Sequence, residues 1–155
     1  MSKRVPLGQL SPLMTEILQN GGEVNFTITG CSMLPMLSHR RDKVCLVKAE
    51  EKWLKKYDLP LFVRRNGKYI LHRIVAVKPG GYVVSGDNQY LKEYPVLPSQ
   101  VLGVVKGFWR DGNYISCADF RYRIYCRLWV FGYPVRCLYL RGKQLLTKSI
   151  KFIQS

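Results

Sequence analysis

Four turn signals punctuate the middle of this chain: "RNGK" at 65–68, "KPGG" at 78–81, "SGDN" at 85–88 and "RDGN" at 110–113. Each supplies glycine, asparagine or aspartate where φ turns positive, and such closely spaced turns leave room only for short strands between them. The intervening runs are β-rich: "VNFTIT", "KVCLVKA", "PLFVRR", "KYILHRIVAV", "GYVVSG", "VLGVVKGFW" and "NYISC". From Val24 to Cys117 the pattern predicts a mostly antiparallel β domain with few helices.

The flanks read differently. Ser11 can cap a helix whose first residue is Pro12, with Leu13, Ile17 and Leu18 on one side and "NGG" at 20–22 as its stop. The interval "AEEKWLKKYD" is compatible with either a single helical turn or a solvated loop. After Asp119 no acidic residue occurs, while Arg121, Arg123, Arg127, Arg136, Arg141, Lys143, Lys148 and Lys151 follow. Ile124, Leu128, Phe131, Val135, Leu138, Leu145 and Ile150 recur at roughly helical spacing, with Gly132 and Pro134 as a break. The expected fold class is mainly β, with a helical arm over 1–23, a β-rich domain over 24–118 and a basic amphipathic helical tail over 119–155.

Composition bounds the possibilities. A chain of 155 residues, 47% hydrophobic, can bury one real core and is not disordered. A formal charge of +15 asks for an anionic partner: nucleic acid, acidic lipid headgroups or an acidic peptide. Five cysteines form an odd set without zinc-knuckle spacing, and are read as reduced thiols of a cytosolic protein. Two histidines argue against a histidine-rich metal site, and no metal or cofactor is expected. Lys3 and Arg4 are followed by Pro6, Gly8, Gln9 and Ser11 rather than an apolar core, so no signal peptide is expected, and "IYCRLWVFGYPVRCLYL" is interrupted by Arg127, Pro134 and Arg136, so no membrane span is expected.

The stretch "TGCSMLPML", residues 29–37, carries the candidate chemistry. A serine hydroxyl becomes a nucleophile only beside a base and oxyanion donors. Gly30 would let the backbone approach a substrate, the Ser32 amide is a natural oxyanion donor, and Pro35 with Met33, Leu34, Met36 and Leu37 would hold the turn. Taken alone, such a serine more often only ends a strand.

His72 sits in "YILHRIVAV", where strict alternation places Ile70, His72, Ile74 and Ala76 on one face and Tyr69, Leu71, Arg73, Val75 and Val77 on the other. A desolvated histidine stays neutral, as a general base must, although a core histidine bonded to backbone has the same neighbours. Gly86, Asp87 and Asn88 most commonly form a turn, but Asp87 is also a candidate acid behind His72, and Glu93 is a second.

In order, "GCSMLPML", "YILHRIVAV", "VVSGDNQ" and "VLGVVKGF" resemble the serine peptidase superfamily that contains type I signal peptidases and LexA-like self-cleaving repressors. The resemblance covers roughly Phe26 to Phe108. It implies Ser32 as nucleophile and His72 as general base, the latter resembling the histidine version found in endoplasmic reticulum and archaeal signal peptidases. "DLPLFVRR" at 58–65 resembles the strand that precedes the base. The family's second serine, two residues before the nucleophile, is replaced here by Gly30, as in LexA-like proteins. Its frequent Gly-Asp pairs appear as Arg41-Asp42 and Tyr57-Asp58. Glu93 occupies about the offset of the family's third member, usually Asp, so Asp87 and Glu93 stand nearly equal.

The resemblance implies a serine endopeptidase that cuts an extended peptide or precursor-protein segment. Thr29, Gly30, Met33 and Pro35 are expected at the substrate, and Cys31 is expected as a packed neighbour. Without an N-terminal anchor the expected location is cytoplasmic, with the basic tail over 121–153 lying on an anionic membrane surface. A non-catalytic module for peptide, membrane or nucleic acid is the rival. Tyr122, Tyr125, Trp129 and Arg127 would then stack with single strands, but no nucleic-acid motif supports this. A self-cleaving repressor is disfavoured, since no Ala-Gly or Cys-Gly bond precedes Ser32.

Overall fold

The structure of the chain is a computed structural model that describes residues 7–49 and 53–153. It is mainly β: nine strands and three α-helices, with the strands paired antiparallel throughout the described residues.

Helix α1 spans Leu7–Gln19 and so begins before Ser11, with Pro12 inside it. Packing overrides the capping signal here. Met14 and Leu18 are buried at helical spacing and Leu10 packs on the same cluster, which outweighs the one hydrogen bond that Pro12 cannot donate. Leu13, expected on the apolar side, is 54% exposed, so the buried stripe is rotated from the expected one. The "NGG" stop forms as read: Gly22 N–H donates to Ile17 O and Gly21 N–H to Leu18 O, a Schellman pair.

A six-stranded sheet is built around β8 (Val101–Arg110). One edge of β8 pairs with β2 (Lys43–Val47), which pairs in turn with the outer strand β1 (Val24–Thr27). Its other edge is shared by β3 (Pro60–Val63) and β9 (Asn113–Ser116), and β3 carries β4 (Tyr69–Leu71) outside it. A second sheet holds β5 (Arg73–Lys78), β6 (Gly81–Ser85) and β7 (Glu93–Val96). "RNGK", "KPGG" and "RDGN" are the turns of the β3–β4, β5–β6 and β8–β9 hairpins. Trp53 to Leu59 is loop, and Glu50, Glu51 and Lys52 lie outside the described residues.

The run "KYILHRIVAV" is not one strand. It breaks at His72, where the chain leaves the six-stranded sheet for the three-stranded one. A register shift between Ile74 and Ala76 then lets Ile74 and Val75 both be buried. The two-face alternation therefore fails: His72 and Arg73 are consecutive and both buried, at 2% and 0% exposure.

Arg73 is the largest fully buried side chain. Its guanidinium meets the Asp87 carboxylate twice, Nε to Oδ1 at 2.8 Å and Nη2 to Oδ2 at 2.7 Å. Nη1 donates to Tyr122 Oη at 3.1 Å and to Cys126 Sγ at 2.9 Å. Tyr122 and Cys126 lie on α2 (Phe120–Phe131), whose first turn is capped by the Asp119 carboxylate. The residues after Asp119 thus begin as part of the core, followed by α3 (Tyr133–Ile153).

Removing one member of a buried, hydrogen-bonded ion pair strands the other charge, at about 3–5 kcal/mol. Asp87→Asn and Arg73→Met are each expected to lower unfolding free energy by that order in urea denaturation, and Arg73→Met/Asp87→Leu by less than the sum. Single losses below about 1 kcal/mol would contradict the pair's structural role.

Candidate active site

Ser32 lies in the loop between β1 and β2, and backbone bonds at the loop's base fix its path. Ile28 N–H donates to Asp42 O at 2.9 Å and Arg40 N–H to Ile28 O at 2.8 Å. Asp42, fully buried, accepts from the Ser38 amide and from Arg41. Met33, Met36 and Leu37 are buried beneath it and act as its apolar anchors. Gly30 has φ of +100° with open space beside it, so a side chain there would meet backbone strain rather than a neighbour. Its N–H donates to His39 Nδ1 at 2.8 Å.

The loop after β6 clamps the serine from the other side. Asn88 N–H donates to Ser32 O at 2.8 Å, and Asn88 Nδ2 donates to Cys31 O at 3.2 Å. Gly86 is required for this approach, because a Cβ there would stand 2.6 Å from Ser32 O. Ser85 Oγ donates to Leu91 O at 3.0 Å and ties the loop off. Ser32 itself is half-buried, and among the described residues its amide N–H has no internal acceptor. That amide therefore remains able to serve an oxyanion.

His72 is buried at the sheet junction with its ring edge-on to Phe62. Its Nδ1 stands 3.0 Å from Glu93 Oε1, approached obliquely rather than along the ring N–H. Glu93 is in turn held by Arg64, Nε to Oε2 at 2.6 Å and Nη2 to Oε1 at 2.5 Å. Burial lowers the His72 pKa; the Glu93 charge opposes this and the Arg64 charge adds to it. Burial pushes Glu93 upward, but its bonds and charge interactions with Arg64 and then His72 outweigh that and leave its pKa lowered. The result is a neutral imidazole backed by an ionised carboxylate.

Of the two candidate acids, the fold brings Glu93 to His72 and gives Asp87 to Arg73. Ser32 and His72 sit on neighbouring pieces of backbone: Ser32 rests on the loop that follows Ser85, and Ser85 pairs with Arg73, the residue after His72. No hydrogen bond joins the two among the described residues. Thr29 and Gly30 are exposed, and Pro35 lies on the rim of a groove of about 690 Å3 that also takes in Phe108, Tyr122 and Tyr125. Met33 is 2% exposed and supports the loop from beneath instead of facing a substrate. Cys31 is exposed, contrary to the expectation of a packed neighbour.

Three functional neighbours went unread in the sequence: Arg64, Arg73 and Asn88. The signal for Arg73 was present, since an arginine inside "ILHRIV" can be buried only with a counter-ion, and Asp87 was the nearby acid in a turn. Arg64 had no such signature, because its partner is on β7, a strand masked by Pro95.

The lowered His72 pKa sets a sign for stability. Between pH 6.5 and the lower folded value, the unfolded chain binds the proton and the native chain does not, so stability falls as pH falls through that window. His72→Gln is expected to flatten this part of the stability profile in urea titrations. An unchanged slope would mean that His72 titrates normally in the fold.

Compared with known proteins, the chain matches no protein-family model and no curated protein.

Proposed function

We propose that the chain is a serine endopeptidase of the signal peptidase and LexA-like superfamily, acting on an extended peptide or precursor segment. The observation that carries the reading is the Arg64–Glu93–His72 relay, a buried neutral base with an ionised carboxylate against Nδ1, next to the loop that clamps Ser32. With the Glu93 carboxylate 3.0 Å from Nδ1 favouring a proton on that nitrogen, His72 Nε2 takes the proton from Ser32 Oγ as it attacks the scissile carbonyl. The same proton then passes to the leaving amine, and the Ser32 amide binds the oxyanion. Substrate binding draws serine and histidine into hydrogen-bond reach, as catalytic contacts tighten in the Michaelis complex.

The strand β1 supports the mode of binding. It is an outer strand of its sheet and runs through Thr27 into the Ser32 loop, so an extended peptide added to its free edge would reach the serine. The nucleic-acid reading is weakened by its own aromatics. Tyr122 is buried against Arg73, while Tyr125 and Trp129 stack on each other and Trp129 Nε1 donates to Asp87 O at 3.2 Å.

Cleavage of a library of extended peptides tests the proposal. Ser32→Ala and His72→Ala are each expected to lower turnover by roughly four to six orders of magnitude, and Cys31→Ala to retain it. Glu93→Gln is expected to lower kcat and move the acid limb of the pH profile to lower pH, because the charge that raises the His72 pKa is gone. Equal cleavage by wild type and Ser32→Ala would sink the assignment.

A further inference from the structure

Helix α2 is apolar on two sides. One side, Tyr122 and Cys126, is buried in the core; the other presents Phe120, Ile124, Leu128 and Phe131 to solvent, with Phe131 86% exposed. The outward row continues on α3 through Val135 and Leu138, each 73% exposed. Its members recur three and four residues apart across the junction, where Gly132 N–H donates to Leu128 O and Arg136 N–H to Gly132 O. Six large apolar side chains in one outward row form a patch that soluble monomers rarely leave uncovered.

The charge around the row selects what covers it. Arg121, Arg123, Arg127 and Arg141 are exposed on the same two helices. The sequence places eight cations and no acid after Asp119. A second copy laid along this row would set arginine against arginine, whereas paired helices need opposite charges beside the apolar seam. A helix that is apolar, flanked by cations and free of carboxylates matches an anionic lipid surface. Such a surface takes the apolar row into its headgroup boundary and attracts each cation held near it. No described helix is long and apolar enough to cross a membrane. From these features we infer that α2 and the first turns of α3 lie in the plane of an anionic bilayer.

Docking in this way also places the Ser32 side of the molecule. Trp129 Nε1 donates to Asp87 O at 3.2 Å, Tyr133 Oη donates to Tyr90 O, and Cys137 Sγ lies 3.7 Å from the same carbonyl. The loop that clamps Ser32 is thus stitched to the docking helices, and Leu91 on that loop is 63% exposed beside Leu138. The inference stands independently of whether Ser32 is a nucleophile.

The test is cosedimentation of the full chain with vesicles of phosphatidylglycerol and phosphatidylcholine, against pure phosphatidylcholine, at 0.1 and 0.5 M salt. Binding is expected on anionic vesicles, weaker at the higher salt and at least about tenfold weaker for Leu128→Ser/Phe131→Ser/Leu138→Ser. The three changed side chains point outward, and an unchanged urea midpoint establishes that the variant is folded. A chain that stays in the supernatant with anionic vesicles, or a variant that binds as well as wild type, overturns the inference. So does a dimer in sedimentation equilibrium, or binding to a single-stranded oligonucleotide, that the triple variant abolishes while vesicle binding is absent.

Discussion

The buried ion pair of Arg73 and Asp87 is the interaction on which the rest of the molecule depends. A guanidinium with no exposure is tolerable only with its charge matched and its donors used, and the partners that satisfy Arg73 come from three different parts of the chain. Asp87 supplies the loop after β6, Tyr122 and Cys126 supply α2, and Tyr57 O supplies the crossing before β3. Once that pair is made, the Gly86–Asn88 loop is fixed in position, and Asn88 can hold the carbonyls of Cys31 and Ser32. Helix α2 is fixed by the same contacts, and α3 is tied to the same loop through Tyr133 Oη and Tyr90 O, so the candidate nucleophile and the outward apolar row share one anchor.

The pair also explains the division of labour between the two acids. Asp87 is spent on Arg73, and Glu93, held by Arg64, is the carboxylate at His72. Two arginine–carboxylate pairs meet at consecutive residues: Arg64–Glu93 stands against His72, and Arg73 is itself paired with Asp87. One orients a group that stays neutral, and the other neutralises a charge that cannot leave. Burial lowers the His72 pKa, the Glu93 charge moderates the effect, and in the proposed reaction Glu93 would stabilise the imidazolium.

Much of the β domain was legible because turn chemistry is local. "RNGK", "KPGG" and "RDGN" each made the hairpin that their residues call for, and the strands on either side followed. Features set by tertiary contact were not legible. The start of α1 was decided by Met14 and Leu18 packing, strand β7 was hidden by Pro95 at a sheet edge, and the break at His72 is a crossing between sheets inside an apolar run. The helical spacing of Ile124, Leu128 and Phe131, then Val135, Leu138 and Leu145, with a break at Gly132, matches the two helices α2 and α3, while the Ile150 side chain lies outside the described ones. That this row points away from the core could be known only after Tyr122 and Cys126 were seen to occupy the other side. At the site, the sequence supplied Ser32, His72 and a pair of rival acids; choosing between them required knowing where Arg73 went.

The central claim is that His72 activates Ser32, and covalent labelling tests it most directly. A fluorophosphonate forms a stable phosphonyl ester only with an activated serine, releasing fluoride, and peptide mass mapping locates the adduct. The account predicts a single adduct on Ser32 in the wild type, forming at least about a hundredfold more slowly in His72→Ala. An adduct elsewhere, or labelling of Ser32 at the same rate without His72, would contradict it.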